Sequence, residues 1–322
     1  MAYGEDQWTK QAATMFDELF GRPVSTMLTL NGTGSNILAL ATVLRPGDAV
    51  ICTDWSHVND DEAAAPERIL GAKLIPVTAT DGRLDAAQID ERAAALGNLH
   101  HAQPGVVTIT QSTEWGTLYT IDQIADICDR AHSHGMLVHL DGARISNAVA
   151  ALGGSVETLR DMTIGAGVDV LSFGGTKNGL LGAEAVVHLA DVDRARSMYL
   201  RKQVNQLGSK MRFIAAQFTA ALDDDNWLKW ATHANEMAEK LYLSAVRVLG
   251  TDNLQPPSVN SLFPVVERDA AERLRQWCFF WEWEAASSRQ RWMTAWDTTP
   301  HDVEQFVRGL ATALGRDPDT LD

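Results

Sequence analysis

Lys177 follows the apolar run VDVLSF (168–173) and sits in the stretch GGTKNG (174–179). A lysine is costly to bury, and a solvated surface turn is its plain reading. Asp141 closes a second apolar run, MLVHL (136–140), and Gly142, Ala143 and Arg144 follow it. Near the beginning, NGTGSN (31–36) sets glycines and hydroxyls where a helix opens. Backbone N–H groups at a helix N-terminus form a seat for phosphate, with Gly32, Thr33, Gly34, Ser35 and Asn36 as its members here. His57 lies in DWSHVND, just after a further strand-like run. Taken singly, each has an ordinary explanation: an N-cap for Asp141, a surface ion pair for Arg144, a satisfied polar histidine for His57. The glycine stretch is neither a dinucleotide fingerprint, because Ile37 takes the place of the third glycine, nor a P-loop, because no Gly-Lys-Ser/Thr follows.

Together these residues share one explanation. In an open α/β sheet, ligands collect at the carboxyl ends of the strands. A phosphate seat, a lysine at one strand end and an aspartate at another are what pyridoxal 5'-phosphate requires. The lysine forms a Schiff base, and the aspartate keeps the pyridine nitrogen protonated so that the ring accepts electrons. His57 would stack on the ring face. The glycines beside Lys177 would let the backbone pass close to the cofactor.

The elements that must position these residues are legible as a rhythm. Residues 48–54, 73–79, 105–111, 136–142, 168–174 and 183–189 read as buried strands, and alanine-rich helical stretches separate several of them. Thr120 is the expected N-cap and Gly135 the expected C-cap of a helix over residues 121–134. This βαβα order predicts a mostly parallel sheet covered by helices. The rhythm stops near Ala221. After the acidic turn DDDN (223–226) come a long helix, a strand-like VNSLFPVVE (259–267), a helical run carrying the aromatic cluster QWCFFWEW (276–283), the stretch QRWMTAWDTT (290–299) and an amphipathic end helix. The expected division is a large domain over 1–222 and a smaller α+β domain over 223–322.

Composition narrows the function classes. Lys and Arg number 27 against 42 Asp and Glu, a net charge of −15, which disfavours nucleic acid and anionic membranes as partners. The three cysteines, Cys52, Cys128 and Cys278, have no CxxC spacing, so neither a structural metal nor a disulfide framework is expected, and a reducing cytoplasmic setting fits. No apolar run is long enough to span a membrane, and MAYGEDQWTK lacks the apolar core of a signal peptide. His132 and His134 close a predicted helix, where positive charge suits the dipole; no metal site is read there. Trp277, Trp281 and Trp283 are expected in core and interdomain packing.

The blocks YGED (3–6), NGTGSN, SHVNDDEAAAPE (56–67), QSTEWGTLYT (111–120), HLDGARISNA (139–148), LSFGGTKNGLLGAEAVV (171–187), RKQVNQLGSKMRF (201–213) and RWMTAWDTT (291–299) stand in an order that resembles the threonine aldolase family, within the fold-type I pyridoxal-phosphate enzymes. TEWGTLYT and LGSKMRF are similar to the low-specificity bacterial L-threonine aldolases, including phenylserine-cleaving members. The resemblance implies an aspartate aminotransferase-like fold: a mostly parallel large domain and a smaller C-terminal α+β domain. It implies Lys177 as the Schiff-base lysine, Asp141 as partner of the pyridine nitrogen, and His57 as the stacking residue. Thr33, Gly34, Ser35 and Ser172 join the cofactor-binding set. Arg144 and Arg291 would hold the substrate carboxylate. Arg212 and Lys210 would reach the phosphate of a neighbouring subunit, in a homodimer or homotetramer with sites at the dimer interface. Relatives carry a segment ahead of YGED with a Ser-Asp pair at the site; its true absence would remove part of the substrate pocket, and a truncated start accounts for the short beginning equally well. Glu114 stands where many relatives have histidine, and Asn205 where the subgroup usually has glycine.

The implied reaction cleaves β-hydroxy-α-amino acids, L-threonine and L-allo-threonine among them, to glycine and an aldehyde. His57, Glu114 or a water held by Glu114 would take the β-hydroxyl proton. Trp115, beside Glu114, is a candidate for the aldehyde side of the pocket. Two other readings stay open at this stage: a β-eliminating amino-acid lyase on the same fold, and a non-catalytic relative.

Overall fold

In the computed structural model, which describes residues 1–191 and 193–320, the apolar runs form strands with successive residues buried. Burial at consecutive positions means that both faces of the sheet are covered, as a parallel sheet requires. The strands of the first unit, Met1–Leu228, are β1 (Ser25–Thr29), β2 (Asp48–Thr53), β3 (Lys73–Val77), β4 (Gln103–Thr110), β5 (Leu137–Gly142), β6 (Val170–Gly174) and β7 (Glu184–His188). They lie in the order β1-β7-β6-β5-β4-β2-β3. Pairing is parallel from β6 through β5, β4 and β2 to β3, while β7 runs antiparallel to both β6 and β1.

The helices of this unit are α1 (Gln7–Phe20), α2 (Gly32–Val43), α3 (His57–Asp60), α4 (Ala65–Leu70), α5 (Ala86–Ala93), α6 (Ile121–Ser133), α7 (Ile145–Leu152), α8 (Val156–Arg160), α9 (Arg194–Gln203) and α10 (Arg212–Leu222). Helix α2 carries no charged residue and is buried over Gly34–Ala41. Leu40 packs with Val50, Cys52 and Val106, while Leu38 and Ala39 pack with Met27, Val170 and Val186. Its N-terminus is thereby fixed against the strand ends. Thr120 caps α6 through a reciprocal capping box with Gln123. The C-cap of α6 is His134 rather than Gly135; the glycine follows with φ +74°, the left-handed conformation needed one residue beyond the cap. No described helix is long and apolar enough to cross a membrane.

The second unit is Lys229–Asp322, and its boundary falls inside α11 (Asn226–Leu249). It contains α12 (Arg268–Arg275), α13 (Pro300–Ala313) and an antiparallel sheet of β8 (Ser261–Leu262), β9 (Trp281–Glu284) and β10 (Arg289–Met293), ordered β8-β10-β9. Two expectations are corrected here. Only Ser261 and Leu262 of the 259–267 run form a strand, with Pro264, which cannot donate to a ladder, just beyond. The aromatic cluster is not helical: α12 stops at Arg275, a turn follows, and Trp281–Glu284 form an edge strand. Trp277 and Trp281 are 56% and 64% exposed, so they are not core; Phe280 and Trp292 fill that role with Leu241, Leu274 and Leu310.

Candidate active site

Asp141 lies near the end of β5, in register with Thr110 of β4 on one side and Ser172 of β6 on the other. It is buried; Oδ1 accepts from the Ala143 N–H at 3.0 Å and Oδ2 from Asn36 Nδ2 at 2.9 Å. Both donors are uncharged. A carboxylate held this way in a buried setting suits a cationic N–H, because opposite charge relieves the cost of burying the anion. Two residues back on the same face, His139 places Nε2 2.9 Å from the Ser172 hydroxyl. Complete burial pushes the His139 imidazole down to about 4, so it is neutral. Ser172 is therefore engaged by His139 beside Asp141.

Gly174 ends β6, and a Cβ there would fall 2.4 Å from the Ala143 carbonyl oxygen; one on Gly175 would fall 2.5 Å from that of Ala183. These two glycines serve the close approach of the chain's own backbone. Thr176–Asn178 then form one 3-10 turn, closed by Gly179 at φ +89° and anchored by Asn178 Nδ2 donating to the Trp227 carbonyl at 2.7 Å. Lys177 stands on the exposed side of this turn, and its charge acts on both His57 and Glu184. Glu184 opposes Gly174 across β6–β7 and accepts from the Gly175 N–H at 3.1 Å. Burial pushes its carboxyl up to about 6.

At the start of α2, Asn31 caps the helix by accepting from the Gly34 N–H at 2.7 Å. The Ser35 hydroxyl turns back to Thr29, and the Asn36 side chain leaves the seat for Asp141. Thr33 and the glycines remain at the helix entrance. Gln206 closes over them: its Oε1 accepts from the Leu30 N–H at 2.9 Å, and a Cβ on Gly34 would fall 2.2 Å from its Nε2. Asn205, just before Gln206, has a φ of +60°, a left-handed conformation that asparagine tolerates and that suits the glycine expected at that place.

His57 opens α3, with Nδ1 2.8 Å from Glu62 Oε1. The same Glu62 oxygen accepts from Asn36 Nδ2 at 2.9 Å, which completes a chain from His57 to Asp141. The His57 pKa is raised, first by its hydrogen bond to Glu62; burial opposes this, Asp141 and Glu114 add to it, and Lys177 opposes it. Trp115 meets Trp55 edge-on at 4.9 Å, joining the Glu114 loop to the His57 loop, and Glu114 is buried.

Lys177, Asp141, His57, Glu114, Trp115 and the α2 entrance thus gather at one end of the sheet. Arg144 is half-buried just before α7. Lys210 is exposed ahead of α10, and the Arg212 guanidinium at its start donates to the Met1 carbonyl at 2.9 Å. Arg291 lies on β10 of the second unit, with its guanidinium 4.6 Å from the centre of the Trp283 ring. Glu62, Glu184 and Gln206 escaped the reading of the sequence. A signal existed for Glu184, a carboxylate inside the apolar run AEAVVHL, and for Glu62, an acid beside three alanines.

The family model described as beta-eliminating lyase matches residues 1–268. The chain belongs to the beta-eliminating lyase family. Within that family it is 39% identical to the low specificity L-threonine aldolase of Pseudomonas aeruginosa, over 98% of this chain and 90% of that one. The solved structure of Leishmania major threonine aldolase superposes with a TM-score of 0.89 at 29% identity, covering 97% of this chain and 91% of that one. Serine palmitoyltransferase of Sphingomonas wittichii, at 12% identity, shares the fold alone, with a TM-score of 0.71 over 96% and 77% of the two chains. This member of the beta-eliminating lyase family has the fold-type I architecture.

Proposed function

We propose that this chain is a pyridoxal 5'-phosphate-dependent aldolase that cleaves L-threonine, L-allo-threonine and bulkier β-hydroxy-α-amino acids to glycine and an aldehyde. The observation that carries this reading is the placement of Asp141 and Lys177 at the ends of neighbouring parallel strands, Asp141 being a buried carboxylate held by neutral donors. The 39% identity with a low specificity L-threonine aldolase supports the substrate class.

The residues fit the cofactor. Lys177 would hold it covalently, Asp141 would hold the proton on its ring nitrogen, and the α2 entrance with Thr33 and Gly34 would hold its phosphate, with Ser35 and Gln206 shaping that entrance. When bound, pyridoxal phosphate supplies the sink for the electron pair released as the Cα–Cβ bond breaks. The chain's own residues do the rest. Arg144 binds the substrate carboxylate, for which the planar guanidinium is suited. His57 covers the ring and, with Glu114 as the alternative, accepts the β-hydroxyl proton at Nε2. A proton returned to Cα completes glycine.

The reading includes a homodimer or homotetramer with sites at the dimer interface. Lys210 and Arg212 would then serve the seat of an adjoining subunit. The test is product formation by protein supplied with pyridoxal phosphate. Glycine and aldehyde are expected from L-threonine, L-allo-threonine and phenylserine. Pyruvate and ammonia from β-substituted amino acids, without retro-aldol cleavage, would replace this reading with β-elimination.

A further inference from the structure

We infer that Glu62 and Asn36 form a buried positioning linkage that fixes a proton on His57 Nδ1, ties that imidazole to Asp141, and leaves Nε2 as the nitrogen through which His57 exchanges protons. The tie to the reaction rests on the proposed function; the linkage itself does not.

Geometry and basicity together give the direction of each hydrogen bond. Asn36 Nδ2 lies 2.9 Å from Glu62 Oε1 and 2.9 Å from Asp141 Oδ2. An amide nitrogen carries two hydrogens and no acceptor pair, so both carboxylates accept. The opposite amide orientation would aim an oxygen at two acids. Glu62 Oε1 also lies 2.8 Å from His57 Nδ1. The hydrogen between them sits on either Glu62 Oε1 or His57 Nδ1, and imidazole is the stronger base of the two. Glu62 is therefore the acceptor, and that hydrogen belongs to His57 Nδ1.

The linkage spans four parts of the fold: α3, the connection between α3 and α4, α2, and β5. The Glu62 side chain is fully buried and that of His57 about one quarter exposed. A buried carboxylate without a cation is unfavourable, so the pair favours a proton on His57. The charged groups that face His57 are Glu62 from the α3–α4 connection, Asp141 from β5, Glu114 from the loop after β4 and Lys177 from the turn after β6. All but the lysine favour the imidazolium. Glu62 and Asn36 would act through His57 and Asp141 rather than on substrate.

The test is a titration of ¹⁵N-histidine-labelled protein by NMR, with and without pyridoxal phosphate, the His57 signal being assigned by its loss in His57→Asn. In the wild type, Nδ1 should stay protonated throughout, and the proton should leave from Nε2 with a midpoint above the ordinary histidine value. In Glu62→Gln the midpoint should fall by on the order of one to two units, with and without cofactor. Glu62→Asp, which keeps the charge, should retain more of the elevation. The acid limb of the kcat/KM profile for phenylserine should move down with the Glu62→Gln midpoint. Loss of the Nδ1 proton in the wild type, or an unmoved midpoint in Glu62→Gln, would overturn the linkage. The wild-type measurement decides this even if the variant fails to fold. A midpoint that falls while the kinetic limb stays in place would overturn the tie to the reaction, a result distinct from failure of Lys177 to bind cofactor.

Discussion

Asp141 and Lys177 stand at the carboxyl ends of two adjacent parallel strands, and the register of Asp141 against Ser172 fixes how far the lysine turn lies beyond the acid. The aspartate is held by Asn36 and by the Ala143 N–H, so its position does not depend on a ligand. Asp141→Asn keeps the shape and removes the charge. Its kcat for phenylserine should fall by roughly a hundredfold or more, about 3 kcal/mol of lost charge stabilisation. A near wild-type kcat would remove Asp141 from the assigned role.

Gly174→Ala tests the backbone contact that sets the lysine turn. The added methyl would lie 2.4 Å from the Ala143 oxygen and 2.7 Å from its Cα, and neither atom can rotate away. The expected cost is about 1–3 kcal/mol of stability, read as a lower urea midpoint. An unchanged midpoint would show that the turn has more room than the geometry allows.

Glu184 predicts a pH-dependent stability. Burial raises its folded carboxyl from 4.5 to about 6. Between these values the folded state binds more protons than the unfolded one, so stability falls as pH rises through this window and stays lower above it. The loss is about 2 kcal/mol. Glu184→Gln should match wild-type stability at pH 4 and exceed it at pH 8 in cofactor-free protein, by denaturant titration at both pH values. Equal stability at pH 8 would contradict the buried charge.

Trp115 packs edge-on against Trp55 beside Glu114, which supports a place next to the aldehyde half of the substrate. Trp115→Ala should lower kcat/KM for phenylserine about tenfold more than for threonine, since apolar pocket contacts are worth about 1–3 kcal/mol. An unchanged ratio of the two would exclude Trp115 from the pocket.

The sheet was legible because its strands are unbroken apolar runs; Asp141 and Lys177 were legible because they end two of them. Strand β1 was not, since STMLT is short and half polar. The aromatic cluster at 276–283 misled because its composition is apolar throughout, whereas β9 lies at a sheet edge and leaves Trp281 in solvent. Glu62, Glu184 and Gln206 were hidden for another reason. Their partners, Asn36, Gly175 and Leu30, lie on other elements, and tertiary packing alone decides which side chains meet.

The central claim is that Lys177 carries the cofactor, and borohydride reduction of protein loaded with pyridoxal phosphate tests it most directly. Reduction fixes an imine as a stable secondary amine, which peptide mapping then locates. The account predicts a phosphopyridoxyl group on Lys177 and none in Lys177→Ala. Labelling at a different lysine, or no label in loaded wild-type protein, would contradict it.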